Sequence, residues 1–260
     1  MNEKNLITYY NKFNEDKRLT RRHGIIEYRT ATKYIHEYLN TMDNPKIIDI
    51  GAGTGAYSIP LANEGYDVTA VELIKHNLMT LRKNSDKVKA YLGNAIDLHK
   101  FKDNTFDIVL LFGPMYHLIS NEDKIKALSE AKRIVKENGL IFISYYMNEY
   151  AIITHGFMEN TIKEDIKNNL IDHNFHITPN EDDLYSMVRL EDINYYKDTL
   201  NLKLFRTENT LVIPPSVIFI TNLFFSSAII SIPRIAPINS KITKMEFTTA
   251  NTKLPLYTPS

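Results

Sequence analysis

The sequence predicts an α/β fold with a doubly wound, mostly parallel sheet and an N-terminal helical cap. Between Lys46 and Tyr146, short apolar runs alternate with segments of helical periodicity, which is the pattern of parallel strands joined by right-handed crossovers. A glycine-rich turn follows the first apolar run, at the position where open α/β sheets bind ligands. With 260 residues, the chain is long enough for one large domain with a small cap.

The N-terminal cap is predicted from a helical pattern that precedes the glycine turn. Its apolar side chains lie close to one face, and Asn44-Pro45 ends the run. We therefore predict a helical cap at residues 1–44, ahead of a ligand-binding domain at residues 45–207. The apolar positions are Ile26, Tyr34, Ile35, Tyr38 and Leu39.

The sheet elements follow one another in a regular order. A helix is predicted after the glycine turn up to Glu64-Gly65, another from Leu73 to Lys83, and a third from about Glu122 to Lys136. Ser120 or Asn121 can cap the third helix, and Gly139 is expected to follow its last turn. The predicted strands are KIIDIG, DVTAVE, VKAYL, FDIVLLFG and LIFISYY.

Composition limits the classes of partner and of chemistry. Lys plus Arg and Asp plus Glu number 31 each, so there is no overall positive charge to hold nucleic acid. The chain has no cysteine, which excludes disulfides, thiolate metal sites and cysteine nucleophiles. The histidines are scattered, and we predict no metal site. The polar N-terminal residues lack the apolar segment of a secretory signal, so we expect a cytoplasmic protein.

The glycine turn, IIDIGAGTGAYS, is compatible with two kinds of ligand. Gly51, Gly53 and Ala56 fit the G-x-G-x-x-G/A turn that holds a dinucleotide pyrophosphate, yet Asp49 lies two residues before the first glycine. A carboxylate about 5 Å from a unit charge contributes roughly 3 kcal/mol at an effective dielectric constant of about 20. That repels an anion and favours a cation. The alternative interpretation is that Asp49 only accepts hydrogen bonds from the turn.

The motif D-I-G-A-G-T-G, ending at Gly55, resembles the first motif of class I S-adenosylmethionine-dependent methyltransferases. The resemblance covers roughly residues 46–146 in the expected order and implies a Rossmann-like methyltransferase fold. It also implies S-adenosylmethionine as the cofactor, with Glu72 binding both ribose hydroxyls and Asp97 accepting from the adenine amino group. The cofactor-binding residues that we predict on this basis are Asp49, Gly51, Ala52, Gly53, Gly55, Glu72, Leu73, Asn94, Ala95, Asp97 and Phe112.

Two residues after the fourth strand are candidates for catalysis. His117 is suited to accept a proton near neutral pH, and Tyr116 to line the donor methyl group or to cover the cofactor. The alternative for His117 is that it only packs or caps its loop. Methyltransferases of nucleic-acid bases usually carry an Asn- or Asp-Pro-Pro-Tyr/Phe motif at this loop, whereas this chain has FGPMY. The resemblance therefore favours a small-molecule acceptor and no nucleic-acid partner.

Other polar and aromatic residues remain ambiguous. Tyr9, Tyr10 and Phe13 are compatible with cap packing or with an aromatic pocket wall. The spacing of Asn148, Tyr150 and His155 does not resemble a metal site, although a substrate loop could lie there. A basic cluster can bind a substrate anion or be solvated; it consists of Lys17, Arg18, Arg21, Arg22 and His23.

The chain changes character after about residue 207. No glycine follows Gly156, and the stretch Asn209 to Pro233 carries no charge. Pro214, Pro215 and Asn222 argue against a membrane span, so we expect no stable membrane insertion. We predict an atypical apolar tail at residues 208–260 that is poorly ordered and packs poorly into a closing hairpin.

Two rival functions stay open. A nicotinamide-dependent oxidoreductase would use the same glycines as a phosphate turn, and Asp49 disfavours it. A cofactor-binding regulatory module would bind the cofactor without turnover.

Overall fold

The computed structural model describes residues 3–11, 22–209 and 225–231. The helices are α1 (Glu3–Tyr10), α2 (Arg22–Leu39), α3 (Ser58–Asn63), α4 (Lys75–Asn84), α5 (Asn121–Ile134), α6 (Asn148–Ala151), α7 (Ile162–Lys167) and α8 (Leu190–Thr199). The strands are β1 (Lys46–Ile50), β2 (Asp67–Glu72), β3 (Lys89–Leu92), β4 (Phe106–Leu111), β5 (Val135–Met147), β6 (Met187–Val188), β7 (Lys203–Asn209) and β8 (Phe225–Ser231).

The eight strands of the described residues form one sheet. Its order is β3-β2-β1-β4-β5-β8-β7, and the short strand β6 pairs with the end of β5 outside this order. All pairings among β1 to β6 are parallel, and β8 is antiparallel to both β5 and β7. The predicted fold class is therefore confirmed. The strand order reverses direction at β1, where β4 pairs on the other side, and this switch point is where such sheets bind ligands.

Alternation along the strands divides the core between the two faces of the sheet. In β1, Ile48 and Ile50 belong to a cluster with Leu128 of α5 and Tyr196 of α8. Ile47 lies in a second cluster that also contains Ile35 and Leu39 of α2 together with Leu61 and Leu81 of α3 and α4. Because successive side chains of a strand point to opposite faces, both layers of helices find apolar partners. The predicted helical cap thus packs through α2 on one face.

Helix α5 matches its predicted position but ends differently. Ser120 is the N-cap, and its side chain accepts a hydrogen bond from the backbone N–H of Asp123 at 3.1 Å. The helix passes directly into β5 at Val135, so the prediction that Gly139 follows its last turn is wrong. Gly139 lies inside the strand, where an added Cβ would come 2.8 Å from the carbonyl oxygen of Asp107. The close approach of β4 explains the glycine.

The structure departs from the tail prediction at Phe225–Ser231. Strand β8 inserts between β5 and β7, and Ala228 is opposite Ile143 on one side and Thr207 on the other. Phe225, Ile229 and Ile230 suit a strand, but the other four residues are Ser or Ala. Backbone pairing with a neighbour on each side therefore accounts for the strand better than residue preference alone. The rest of residues 210–260 lies outside the described residues, and the domain boundaries at 44 and 207 stay predictions. Among the described residues, no helix is both long and apolar enough to span a membrane.

Candidate functional site

The glycine loop that follows β1 has positive φ angles, which residues with a Cβ rarely adopt. Gly51, Gly53 and Gly55 have φ values of +75°, +57° and +97°. The backbone N–H groups of Gly51 and Ala52 both donate to the carbonyl of Val71, at 2.8 and 3.1 Å. The loop is therefore fastened to β2 and leaves room for a ligand beyond it.

Close packing adds a second reason for two of these glycines. A Cβ at Gly51 would lie 2.7 Å from Cδ of Pro114, and one at Gly55 would lie 2.7 Å from Cγ1 of Ile59. Gly51 therefore lets the loop after β4 approach the glycine loop. Gly55 serves the packing of α3 and does not line the cavity described below.

Glu72 ends β2 with its carboxylate at the centre of the site. Its Oε2 accepts a hydrogen bond from the N–H of Gly53 at 2.8 Å, and its Oε1 accepts from the N–H of Ile74 at 2.7 Å. The residue is 4% exposed. Each carboxylate oxygen can accept more than one hydrogen bond, so Glu72 holds the loop and still suits ligand hydroxyl groups.

Asp49 is buried beneath the loop and combines the two roles considered for it. It lines the cavity, and its Oδ2 accepts a hydrogen bond from the Ser58 hydroxyl at 2.5 Å. Burial raises the pKa of this carboxyl to about 6, against the opposing effect of the hydrogen bonds from Ser58. Asp49 thus accepts hydrogen bonds from the start of α3, just beyond the turn, and remains next to the ligand space.

In the turn after β3, one of the predicted cofactor-binding residues does not line the cavity. Gly93, Asn94 and Ala95 line the cavity, whereas Asp97 does not. The Asp97 side chain is exposed and accepts a hydrogen bond from Nδ1 of His99 at 2.6 Å, which lowers its pKa. The turn directs the backbone at Asn94 inward and the carboxylate three residues later outward. Asp97 is therefore not placed to receive an adenine amino group.

These elements line a cavity that is partly open to solvent. The predicted site residues that line it are Asp49, Gly51, Ala52, Gly53, Glu72, Leu73, Asn94, Ala95, Phe112, Tyr116 and His117.

The charged side chains that line the cavity are acidic. Asp49 and Glu72 are its acidic residues, and no Lys or Arg is among the described residues that line it. Both carboxylates are buried, where screening by solvent and salt is weak. The cavity therefore favours a cationic ligand and disfavours a pyrophosphate.

Several lining residues are not among the predicted site residues. Leu6 and Tyr10 of α1 close one side. For Tyr10 the sequence leaves cap packing and an aromatic pocket wall open, and Leu6 lies four residues before it on the same helix face. Asn77 and Pro114 also line the cavity. Pro114 belongs to the FGPMY loop, whereas Asn77 belongs to no motif, so sequence spacing alone does not identify it.

At the end of the cavity towards β5, His117 is held by two hydrogen bonds. Its Nδ1 lies 2.8 Å from the carbonyl oxygen of Leu184, and its Nε2 lies 2.8 Å from the Tyr10 hydroxyl. Tyr116 and Tyr185 pack against the ring, with centroid distances of 4.6 and 5.2 Å. His117 is thus fixed in its loop, as the packing alternative requires, and it also faces the cavity.

The remaining candidates either lie outside the described residues or do not line the cavity. The side chains of the basic cluster, and Phe13, are outside the described residues. Asn148 is buried and bonds the backbone of Phe175 and Ile177, and the exposed His155 pairs with Glu159. The described part of the chain contains no group of three His, Asp or Glu side chains arranged for a metal ion.

Comparisons with known proteins agree with the geometry. Residues 48–143 match the family profile described as Methyltransferase domain. A ubiquinone biosynthesis O-methyltransferase from Rickettsia typhi is 30% identical over 126 residues, covering 47% of this chain and 48% of that protein. A demethylmenaquinone methyltransferase from Renibacterium salmoninarum is 28% identical over 118 residues, covering 45% and 48%. The chain thus spans about half the length of these curated relatives.

A solved structure extends the likeness in fold. The magnesium protoporphyrin IX methyltransferase from Synechocystis, crystallised with bound SAH, superposes with a TM-score of 0.57 at 13% identity, covering 85% of this chain and 89% of that one. Strand order, the glycine loop after β1 and Glu72 at the end of β2 all agree with the motif resemblance. The chain therefore contains a region that matches a methyltransferase domain, and its fold is similar to that of a solved methyltransferase.

Proposed function

We propose that the protein transfers the methyl group of S-adenosylmethionine to a small-molecule acceptor. The observation that carries this proposal is the sign of the charge in the cavity, where Asp49 and Glu72 are buried and no described Lys or Arg is present. S-adenosylmethionine has a sulfonium and an ammonium group, and both are attracted by carboxylates in a poorly screened site.

The residues of the cavity fit the cofactor. The carboxylate of Glu72 suits a pair of ribose hydroxyls, and Asn94 and Ala95 replace Asp97 as the residues beside the adenine. Gly51 and Gly53 bring backbone close to the methionine part of the ligand. When bound, the cofactor supplies a methyl group that is activated for displacement by its positive sulfur. The chain's own contribution is to hold donor and acceptor in line and to exclude water.

Three features support a small acceptor. The cavity is partly enclosed, its far end is aromatic, and the loop after β4 lacks the motif of base methyltransferases. The named functions of the two curated relatives concern quinone biosynthesis, which is small-molecule chemistry. We accordingly propose a cytoplasmic enzyme with no nucleic-acid partner, in keeping with equal numbers of acidic and basic residues and no cysteine.

The rival functions make different predictions. A nicotinamide-dependent oxidoreductase needs a site for a pyrophosphate at the glycine loop, which the buried carboxylate of Asp49 opposes, whereas an acid at the position of Glu72 is compatible with both cofactors. A regulatory module would bind the cofactor and release no methylated product. Neither rival is favoured by a specific contact.

The experiment has two stages. Calorimetry is expected to show binding of S-adenosylmethionine and S-adenosylhomocysteine, with NAD weak or absent. A metabolite extract is then incubated with methyl-labelled S-adenosylmethionine, and mass spectrometry identifies the labelled product. Tight NAD binding without any response to S-adenosylmethionine would overturn the proposal. Cofactor binding without a labelled product from broad metabolite pools would favour the regulatory module.

A further inference from the structure

The hydrogen bonds of His117 determine which ring nitrogen carries the proton. A carbonyl oxygen can only accept, so the contact of Nδ1 with Leu184 at 2.8 Å places a hydrogen on Nδ1. In the neutral ring, Nε2 then has a lone pair. The Tyr10 hydroxyl, 2.8 Å from Nε2, is therefore the donor in the second hydrogen bond. A hydroxyl that donates its proton keeps lone pairs with which it can accept another.

The backbone around Leu184 is fastened to the loop of His117. The N–H of Ser186 donates to the carbonyl of Tyr116 at 2.7 Å, and the Ser186 hydroxyl accepts from Nζ of Lys124 at 2.7 Å. Lys124 is 1% exposed and also donates to the carbonyls of Leu118 and Ile119. These bonds keep the Leu184 carbonyl in place and so preserve the tautomer of His117.

Helix α1 brings Tyr10 to the cavity from the other side. Leu6 and Tyr10 line the cavity, whereas Tyr9, the next residue on the helix, does not. The Tyr9 hydroxyl instead accepts a hydrogen bond from the Tyr185 hydroxyl at 3.3 Å. The two neighbouring tyrosines thus have separate positions, one in the cavity and one in the packing of α1 against the segment before β6.

We propose that Tyr10 is the catalytic residue that contacts the acceptor, and that His117 acts through it as the final proton acceptor. The inference rests on the proposed methyl transfer and deepens it. The hydroxyl proton of the acceptor moves to Oη of Tyr10 as the Tyr10 proton moves to Nε2 of His117. The acceptor oxygen forms its new bond to the methyl carbon, and the electron pair of the broken carbon–sulfur bond stays on sulfur. The proton left on His117 returns to solvent.

The pKa of imidazole limits which hydroxyl groups can act as the methyl acceptor. An ordinary imidazole has a pKa of about 6.5, and a phenol such as the tyrosine side chain has one of about 10. Proton transfer from a phenol to imidazole is therefore unfavourable by about 3 to 4 powers of ten in the equilibrium constant, which a bound enzyme complex can overcome. Proton transfer to imidazole from a hydroxyl as weakly acidic as that of water is unfavourable by about 9 powers of ten in the equilibrium constant. The pair thus suits a phenolic or enolic hydroxyl.

The test compares Tyr10→Phe with the matched control Tyr9→Phe on the same helix. Nitrogen-15 spectra of histidine-labelled protein, with His117 assigned from its loss in His117→Asn, need no cofactor. We expect the wild type to show the Nδ1–H tautomer and the Nε2 resonance to shift in Tyr10→Phe but not in Tyr9→Phe. An Nε2–H tautomer, or no shift in Tyr10→Phe, would overturn the inference.

Kinetics test the catalytic part with a panel of simple phenols and labelled S-adenosylmethionine. We expect kcat to fall on the order of 100-fold or more in Tyr10→Phe and in His117→Asn, with cofactor affinity nearly unchanged. The double variant is expected to be little worse than either single one, because residues that act as a unit are not additive. An additive double variant, or a kcat of Tyr10→Phe equal to that of Tyr9→Phe, would contradict the relay. Failure of the wild type to bind S-adenosylmethionine would refute the proposed function instead, whatever the tautomer.

Discussion

The Ser58 hydroxyl donates a hydrogen bond to Oδ2 of Asp49 at 2.5 Å and thereby joins the end of β1 to the start of α3. The bond lies beneath the glycine loop, and the carboxyl of Asp49 is 2% exposed. Desolvation outweighs the hydrogen bonds, since the pKa of Asp49 is raised from 3.8 to about 6. The folded protein therefore binds this proton more tightly than the unfolded chain does.

Asp49→Asn should change how stability depends on pH. A raised carboxyl pKa contributes stability that is fully present below pH 4 and is lost as pH rises through about 6, by about 3 kcal/mol in total. Urea unfolding between pH 4.5 and 7 should show the wild type losing stability relative to the variant over this window. Carboxyls with lowered pKa, such as Glu130, act in the opposite direction in both proteins and cancel in the difference. Parallel stability curves would show that Asp49 is not the titrating group.

Glu72→Gln should weaken the cofactor site. The neutral amide can no longer accept from both Gly53 and Ile74, and it binds ribose hydroxyls less well than a carboxylate does. We expect S-adenosylmethionine affinity measured by calorimetry to fall by about 1 to 3 kcal/mol. Glu137→Gln is the control, because Glu137 is exposed and does not line the cavity. Equal affinities of the two variants would mean that Glu72 supports only the loop.

Local patterns predicted several residues that the structure brings together at one cavity. The glycines and Glu72 follow directly from strand ends, where the parallel sheet fixes their position, and the structure brings them together. Asp97 was assigned from the resemblance of GNAIDL to the family's pattern after the third strand, but it does not line the cavity. The turn at Asn94 decides which side chain points inward. The Asp97 carboxylate instead pairs with His99, and both side chains are exposed to solvent.

Contacts between distant segments could not be predicted in this way. The bond from His117 to Leu184 joins residues 67 apart in the sequence, and no motif surrounds Leu184. The position of Tyr10 follows from the packing of α1, which depends on Tyr185 and Asp182 far along the chain. The basic and aromatic patterns near the N-terminus left ligand contact and packing or solvation as open alternatives.

Gly51→Ala tests whether the close approach of Pro114 to Gly51 affects cofactor binding, separately from the backbone strain of a positive φ. Its Cβ would lie 2.7 Å from Cδ of Pro114, and its φ of +75° is unfavourable for alanine. Gly65 provides the matched control, since its φ is +101° and an added Cβ meets nothing within 4 Å. We expect both variants to lose about 1 to 3 kcal/mol of stability through strain. Only Gly51→Ala should also weaken S-adenosylmethionine binding; an equal effect on binding in both would rule out the contact with Pro114 as its cause.

Ala228→Pro should decide whether β8 belongs to the cooperative fold. Ala228 is opposite Ile143 of β5 and Thr207 of β7, so β8 is bounded on both sides. Proline there removes a backbone donor from an interior strand and should lower the free energy of unfolding by about 3 kcal/mol or more. Ala228→Val, which keeps the N–H and suits a strand, is the control and should be close to neutral. If Ala228→Pro unfolds in urea with the wild-type midpoint, the sheet is stable without β8. In that case the prediction of a poorly ordered tail applies to Phe225–Ser231, and β5 ends the stable core. A large loss confined to the proline variant would mean that the apolar tail closes the sheet.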